Sequence, residues 1–465
     1  MKQIEHSQLQ GNILRGYRMD HVRHMFLQVT KPAAAREFLG VAANGGNADV
    51  PAIMVDQPHH TKWPEGKKPR FCFNIGVTFT GLKALGVADR DLATFPTEFR
   101  DGMAARATKL GDFGESAPQN WSAPFDQPDL IHVIASIYAN DPVALDEVDA
   151  QVRRAFDVKG QRDGYALPED KVYFGYRDSI SQPKFTHVKG EVEPVDPYGT
   201  VLLGEPTRLE GLDFRIPSPT VLGHHGTFNA FRVLRQHVTA FEDYLDKAAT
   251  ELMAHPDSAL LLPMDAQFGI GIEPLDRHGM LREVVAAQMC GRWRNGVPYG
   301  SSPDGMPDTE GLSLTEFDYT RQSRCPAGSH LRRTNPRGAP IVQRIANYTR
   351  RLVRRGMSYG PITNAGDSEP EVGLLGNFIG ASLGAQFEAV MCDWLNLGLQ
   401  DPDITGANDP LIGANTPETS WFDLTLSNGG TIRLRGFPRF VSTRGGVYAF
   451  LPSMPAIRYL AGLKP

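Results

Sequence analysis

The sequence predicts an α+β protein made of two similar halves, each an antiparallel sheet with helices on one face. Two observations predict this class. Apolar runs of strand length alternate with helical segments in the first half, and a similar order returns after residue 226. In addition, the 465 residues exceed what a single hydrophobic core usually organises, which favours two modules over one.

In the first half, three strands and three helices are expected from hydrophobic periodicity. The expected strands are 24–30, 71–79 and 130–138. The expected helices are Pro32–Ala43, 81–85 and 142–156. The first of these helices begins with proline, whose fixed φ suits the first helical turn.

The second half is expected to repeat this order. The expected strands and β-like runs are 227–234, 378–391, Thr431–Arg435 and 446–451. The expected helices are Val238–Met253 and a terminal one at 455–461. These elements predict an N-terminal module over 1–190, a connecting loop over 191–220 and a C-terminal module over 221–465.

Two long irregular stretches, 175–226 and 296–338, are rich in glycine, proline and other turn-forming residues. Loops of that length within a compact protein usually carry function or cover a site. We therefore expect the functional residues to lie mainly in these two stretches.

Bulk composition excludes several classes of protein. With 41% hydrophobic and 22% charged residues, the chain is not disordered. A net charge of -5 gives no general attraction to nucleic acid or to an anionic membrane. The four cysteines are dispersed without a CxxC pair, which predicts neither a cysteine zinc site nor a disulfide framework. The first residues lack an apolar signal core, and no stretch is long enough to span a bilayer, so a cytoplasmic location is expected.

His330 is the first candidate for chemistry, although a single histidine among 13 is weak evidence. Ten arginines surround it between positions 321 and 355: Arg321, Arg324, Arg332, Arg333, Arg337, Arg344, Arg350, Arg351, Arg354 and Arg355. Such a cluster is compatible with a solvated basic face or a nucleic-acid surface. Stacking aromatics are scarce, with only Tyr348 and Tyr359 nearby, so a small anionic ligand such as a haem propionate fits better.

Asp178 and Arg354 are the other candidates. Taken alone, Asp178 in VYFGYRDSISQPKF is compatible with an Asx-turn or a helix N-cap, and Arg354 in RLVRRGMSYGP with a surface arginine. Neither residue type by itself identifies a reaction.

Together, however, these segments resemble motifs of the dye-decolorizing peroxidase family. The motifs occur in the same order as in that family, and the resemblance covers nearly the whole chain. The similar motifs are LQGNILRGY, FNIGVTFTGLKALGV, FGYRDSISQP, GRWRNGVP, CPAGSHLRRTNPR, RRGMSYGP, DPLIG and FVSTRGGVYAFLPSMPAIRYLA. The long insertions and the HLRRTNPR block are similar to the larger-bodied branch of that family.

The resemblance implies a fold and a set of roles. It implies two ferredoxin-like α+β modules whose antiparallel sheets pack together, of the dimeric α+β barrel type, with one haem b per chain held mainly by the C-terminal module. His330 is then the proximal iron ligand, Asp178 and Arg354 are the catalytic pair that acts on hydrogen peroxide, and Arg332, Arg333 and Ser179 contact the cofactor. The implied substrates are hydrogen peroxide and a bulky reducing compound such as a dye or phenol, and the oligomeric state is left open.

One position departs from the family pattern, since Ser179 stands where the family's GxxDG motif ends in glycine. Glycine at that position permits a positive φ, and serine there is expected to carry a modest strain or a different loop path. On the proximal side, the second nitrogen of His330 requires an acceptor, for which Glu388 and Asp393 are both candidates.

A haem-binding carrier or sensor, or a haem-handling protein, on the same fold is the main alternative to a peroxidase. A carrier does not require the distal pair Asp178 and Arg354, and both residues are present. A hydrolase is disfavoured because the sequence contains neither a GxSxG elbow nor an HExxH run.

Overall fold

The structure is a computed structural model that describes residues 4–56, 63, 66–185, 195–208, 213–270, 273–320, 324–341, 348–363 and 369–463. The boundary expected between residues 190 and 191 lies outside the described residues, so the proposed division into 1–190, 191–220 and 221–465 stays a prediction. Within the described residues, no helix is both long and apolar enough to cross a membrane. All four cysteines are free thiols.

Within the described residues, the N-terminal half contains four strands and six α-helices. They are β1 (His21–Gln28), α1 (Pro32–Ala43), β2 (Phe71–Val77), α2 (Phe79–Ala84), α3 (Asp89–Leu92), α4 (Thr97–Asp101), α5 (Ala107–Leu110), β3 (Val133–Ala139), α6 (Pro142–Val152) and β4 (Asp157–Tyr165). The strands lie in the order β2-β3-β1-β4 and are all antiparallel. This order is the ferredoxin-like arrangement that the resemblance implied.

The C-terminal half repeats the same plan with longer additions. Its elements are α7 (Thr220–Gly223), β5 (Thr227–Gln236), α8 (Val238–Met253), α9 (Ser258–Leu261), β6 (Gly269–Ile270), β7 (Glu273–Pro274), α10 (Arg277–Cys290), α11 (His330–Thr334), β8 (Val353–Arg354), β9 (Met357–Ile362), β10 (Glu371–Gly380), β11 (Trp421–Thr425), β12 (Thr431–Arg435), β13 (Val441–Leu451) and α12 (Met454–Ala461). Two π-helical segments, Leu383–Glu388 and Val390–Asn396, follow β10. The main strands lie in the order β13-β5-β10-β9, which is again ferredoxin-like.

The two half-sheets join edge to edge into one closed antiparallel barrel. One joint pairs Phe450 of β13 with Val77 of β2, and the other pairs Tyr165 of β4 with Ser358 of β9. Strand β5 pairs with both β13 and β10, which completes the ring of eight strands. Closure removes the exposed sheet edges that two separate modules would each carry. The predicted α+β class with two antiparallel modules is confirmed.

Most predicted elements are present, and one assignment was wrong. The segment 378–391 was expected to be β-like throughout, but β10 ends at Gly380 and the chain then turns into the π-helical segment from Leu383. Ser382 caps that segment through a hydrogen bond from the Ala385 N–H to its Oγ at 3.1 Å. The strand therefore ends at a glycine that is followed by a serine cap. Because the run is apolar throughout, its composition did not indicate this change from strand to helix.

Candidate active site

A cavity of about 350 Å³ lies against one face of the C-terminal half-sheet. Alternate residues of three adjacent strands form that wall, as expected for side chains that share one face of a sheet. They are Arg232, Leu234 and Gln236 of β5, Leu374, Gly376 and Phe378 of β10, and Val441 and Thr443 of β13. The volume falls within the range of small-molecule and cofactor sites.

The π-helical segments supply an apolar wall of the same cavity. Phe387, Val390, Met391 and Leu395 line it. Because these side chains offer no hydrogen bonds, the cavity suits a flat, largely apolar ligand and keeps water from much of its surface.

His330 begins the short helix α11 and lines the cavity. Its Nδ1 lies 3.1 Å from Oδ2 of Asp409, which is fully buried. An ionised carboxylate only accepts hydrogen bonds, so Nδ1 carries a proton, and in the neutral imidazole the lone pair is then on Nε2. The imidazole is therefore held in the tautomer that can bind a metal through Nε2.

The Asp409 carboxylate is itself fixed by its own turn. Its Oδ1 accepts hydrogen bonds from the N–H groups of Leu411 and Ile412, both at 2.9 Å. Burial raises the pKa of Asp409, but His330 and Arg333 nearby lower it further than burial raises it, so the net pKa lies below the usual value. The carboxylate is thus a negative acceptor of fixed orientation.

Asp178 enters the cavity from a tight loop after Gly175. The Asp178 N–H donates to the carbonyl of Asp170 at 2.7 Å, which holds the loop against the preceding turn. Ser179 adopts φ 58°, so serine occupies the left-handed conformation that the family's glycine permits. Ser179 is not among the residues that line the cavity, whereas its neighbours Asp178 and Ile180 are.

Arg354 is tied directly to this loop. Its Nη2 donates to the carbonyl of Ser181 at 2.5 Å, and its backbone N–H donates to Oε1 of Gln182 at 2.9 Å. Both Asp178 and Arg354 line the cavity, so the structure brings the expected distal pair together in one loop-and-strand unit.

Arg332 and Arg333 do not line the cavity, contrary to the expectation that they contact the cofactor. Arg332 donates to the carbonyl of Cys325 at 2.6 Å and lies over the Tyr319 ring. Arg333 is buried and donates to three carbonyls: Gly328 at 2.9 Å, Trp394 at 3.0 Å and Ala407 at 2.9 Å. On a short helix, consecutive side chains point in different directions, so the residues after His330 anchor α11.

Arginines other than Arg332 and Arg333 face the cavity in which the cofactor is expected. The arginines that line the cavity are Arg177, Arg232, Arg292, Arg337, Arg350, Arg351, Arg354 and Arg439. Arg321 and Arg344 lie outside the described residues. The predicted association of the arginine cluster with an anionic ligand therefore keeps its structural basis, through four other members of the cluster together with four arginines from elsewhere in the chain.

Glu388 and Asp393, the two expected partners of His330, are engaged elsewhere. Glu388 accepts hydrogen bonds from Arg106 at 2.9 and 2.8 Å and from Tyr448 at 3.1 Å. Asp393 pairs with Arg350 at 2.8 Å. The carboxylate that contacts His330 is Asp409, and the earlier assignment was wrong because contacts between separate loops leave no spacing in the sequence. Asp409 is the first residue of the DPLIG motif. The sequence therefore contained a motif at this position, but nothing in it indicated that the aspartate contacts His330.

The donor set fits a haem. The Nε2 of an imidazole whose Nδ1 is bonded to a carboxylate would suit haem iron, apolar walls would suit a porphyrin, and guanidinium groups would suit its propionates. His330 would hold the iron, and arginines that line the cavity would meet the propionates.

Comparison with known proteins agrees with this picture. Residues 8–161 match the model of the "DyP dimeric alpha+beta barrel domain". The chain is 26% identical over 500 residues to Peroxidase 2 of Mycetinis scorodonius, covering 97% of this chain and 86% of that protein. It is also 26% identical over 491 residues to the multifunctional dye peroxidase DyP2 of an Amycolatopsis strain, covering 97% and 95% respectively.

Solved structures match over almost the full length. A dye-decolorizing peroxidase in complex with 2,6-dimethoxyphenol superposes with a TM-score of 0.76 at 26% identity, covering 99% of this chain and 100% of the other. A fungal DyP-type peroxidase from Auricularia auricula-judae gives a TM-score of 0.79 at 23% identity with the same coverage, which supports the fold.

Proposed function

Because the chain belongs to the dye-decolorizing peroxidase family, we propose that it is a peroxidase that uses one haem b to reduce hydrogen peroxide and to oxidise bulky organic compounds such as dyes and phenols. One observation carries the proposal. The cavity lined by His330, with its Nδ1 held by Asp409, is also lined by the acid–cation pair Asp178 and Arg354.

His330 would hold the haem iron through Nε2. Asp409 raises the basicity of that imidazole and fixes its orientation through the bond to Nδ1. The bound haem would supply the redox chemistry, taking two oxidising equivalents from peroxide and passing them to the reducing substrate.

Asp178 moves the proton. Heterolysis of hydrogen peroxide needs a base to take the proton from one oxygen and an acid to return it to the other, which leaves as water. A carboxylate does both in turn. The Asp178 backbone is held by Asp170, so its side chain is presented from a fixed loop.

Arg354 supplies positive charge on the same side. Its guanidinium stabilises the negative charge that develops as the O–O bond breaks, and it helps to orient the bound peroxide. The hydrogen bond from Nη2 to Ser181 couples its position to the loop of Asp178. Acid–base catalysis and electrostatic stabilisation therefore arise from one preorganised unit.

The reducing substrate is proposed from the relatives. One matched structure is a dye-decolorizing peroxidase in complex with 2,6-dimethoxyphenol, and several relatives are named for dye oxidation. We extend that substrate class, bulky phenols and dyes, to this chain. Four free thiols fit a reducing compartment, so we propose the cytoplasm as its location.

The first experiment is an absorption spectrum of the haem-loaded protein before and after one equivalent of hydrogen peroxide, followed by a dye. A Soret band that changes promptly with peroxide and returns when the dye is added supports the peroxidase. A Soret band that is indifferent to peroxide favours a haem carrier or sensor. Failure to bind haem contradicts both functions.

His330→Ala provides the matching control for the haem site. It should lose the normal haem spectrum while the far-ultraviolet circular dichroism is retained, because α11 stays anchored by Arg333. An unchanged Soret band in this variant would remove His330 as the iron ligand.

A further inference from the structure

A cluster of two histidines and one glutamate lies outside the cavity described above. Glu205, His224 and His225 each offer one ligand atom, and these three atoms lie within 4.8 Å of one another. None of the three lines the candidate active site. The cluster joins the segment that connects the two modules to the start of β5.

The local backbone is built to bring these side chains together. Leu203 and the 225–226 segment exchange two backbone hydrogen bonds, from the His225 N–H to the Leu203 carbonyl and from the Leu203 N–H to the Gly226 carbonyl, both at 3.0 Å. The carbonyl of His224 accepts a bond from Oγ of Ser453 at 3.0 Å, which fixes the pair from the other side. These hydrogen bonds therefore hold the segment that carries Glu205 beside the two histidines.

Two backbone features show close approach at this point. His225 adopts φ 58°, a left-handed conformation that is uncommon for residues other than glycine, although histidine is among the residues enriched in it. Gly204 has φ 89°, and a Cβ placed on it would lie 2.8 Å from Cδ2 of His224. Because Gly204 has no side chain and the backbone is strained here, the imidazole of His224 can lie close to the segment that carries Glu205.

The pairing inside the cluster is incomplete. His225 Nε2 lies 2.7 Å from Oε1 of Glu205, so that one carboxylate oxygen and one imidazole satisfy each other. The His224 ring stacks on the His225 ring at 3.9 Å between centroids, and within the described part of the chain it has no hydrogen-bond partner.

From this arrangement we propose that Glu205, His224 and His225 bind a divalent first-row transition-metal ion, for which Zn²⁺ is the best match. Two imidazoles and a carboxylate are a borderline donor set that suits zinc, whereas calcium and magnesium prefer oxygen ligands throughout. Zinc–ligand bonds of about 2.1 Å place two ligands of a tetrahedral ion about 3.4 Å apart, which small side-chain rotations reach from the present spacing. Water completes the fourth position.

The bound ion would cross-link two segments of the fold. It would link Glu205 in the connecting segment to His224 and His225 immediately before β5. Because the folded chain presents the three ligands together and the unfolded chain does not, the ion stabilises the folded protein.

The test uses the tag-free, haem-loaded full chain, so that His330 is already engaged. After treatment with a chelator, the protein is dialysed against micromolar Zn²⁺ and the bound zinc per chain is measured by elemental analysis. We expect one zinc ion per chain and a higher midpoint of thermal unfolding. Glu205→Gln, His224→Ala and His225→Asn should each weaken binding by about tenfold or more and remove the thermal shift.

The variants are chosen to separate metal binding from structure. Asparagine tolerates the positive φ of position 225, so His225→Asn removes a ligand without adding backbone strain. His278→Ala is the matched control, because His278 is bonded to Thr250 outside the cluster and should leave zinc binding unchanged. The Soret spectrum of each variant reports its folding.

Two outcomes would overturn the proposal. If no zinc is retained at micromolar concentration, the cluster is a His225–Glu205 ion pair with a stacked neighbour. If zinc binds but all three variants bind it as tightly as the wild type, the ion lies elsewhere on the chain.

Discussion

Asp409 and His330 form the central contact of the candidate site. The buried carboxylate accepts a hydrogen bond from Nδ1 of the histidine at 3.1 Å, although 79 positions separate the two residues along the chain. Each partner is fixed independently, the carboxylate by the N–H groups of Leu411 and Ile412 and the histidine by the anchoring of α11 through Arg333. The bond determines which imidazole nitrogen remains available for iron.

Asp409→Asn should therefore retain haem but weaken its function. An amide is a poorer acceptor than a carboxylate and does not raise the basicity of the imidazole, so we expect a loss of about 10- to 100-fold in peroxide reactivity or haem affinity. Stopped-flow absorption with peroxide and a haem titration measure the two quantities. Asp403→Asn, an exposed carboxylate of the same loop, is the matched control and should behave as the wild type.

Arg354→Leu should keep haem and lose most of its reactivity with peroxide. Removing one preorganised charge from the developing transition state costs about 10²- to 10³-fold in rate. The rate of the absorption change on adding peroxide is the measurement. Arg90→Leu, which removes an exposed arginine far from the cavity, should leave that rate unchanged. Wild-type rates in Arg354→Leu would contradict the distal assignment.

Asp178→Asn should be milder than Arg354→Leu, because water can replace part of the proton transfer while the guanidinium still stabilises the developing charge. The expected loss is about 10²-fold in the same peroxide reaction. Asp170→Asn is matched in chemistry and lies in the adjoining turn, where asparagine also accepts a positive φ. Equal losses in the two variants would show that the loop, and not the Asp178 carboxylate, is responsible.

Ser179 allows a test of the loop conformation. At φ 58° an L-residue carries about 1 kcal/mol of strain, and a β-branched residue is disfavoured further. Ser179→Val should shift the Asp178 loop and lower peroxide reactivity by about tenfold or more. Ser179→Ala also removes the hydroxyl but adds no branch, and together with Ser179→Gly it should retain near wild-type rates.

Glu388 gives a pH-dependent prediction. Burial raises its pKa, but hydrogen bonds from Arg106 and Lys109 lower it more, so the net pKa lies below the usual value of about 4.3. A lowered pKa in the folded state contributes stability that is present above the unfolded pKa and is lost as the pH falls through the folded pKa.

Accordingly, Glu388→Gln should lower the midpoint of thermal unfolding by roughly 1 °C for each kcal/mol lost, at any pH above about 5. The difference from the wild type should shrink below about pH 4. The haem spectrum of the variant should match the wild type, because Glu388 contacts Arg106 and Tyr448 and not His330. A changed Soret band would restore Glu388 as a partner of the iron ligand.

Helix prediction from the sequence succeeded where local chemistry was complete. Pro32–Ala43 and Val238–Met253 were predicted to the residue, because a proline at the first position and a clear apolar stripe define their bounds. Strand β4 was missed. Its residues DVKGQRDGY are largely polar and only partly buried, so no apolar alternation marks them.

The candidate site shows the same contrast between residues that local motifs identify and residues that they do not. His330, Asp178 and Arg354 were identified through motifs, and the structure places all three around one cavity. Arg332 and Arg333 lie outside the cavity lining, which the sequence did not indicate because a cluster of arginines does not reveal which side chains face a cavity. Asp409 was missed because its role depends on a contact between two loops.

The sequence by itself determined the class of the fold, the order of its two modules and the residue types of the site, because periodicity, caps and motifs are written in local order. Only the tertiary structure decided which strand edges join the two half-sheets, which arginines reach the cavity and which carboxylate orients His330. Those outcomes depend on strand edges and buried hydrogen bonds between residues far apart in the chain, and such contacts are selected by packing and polar satisfaction in the folded state.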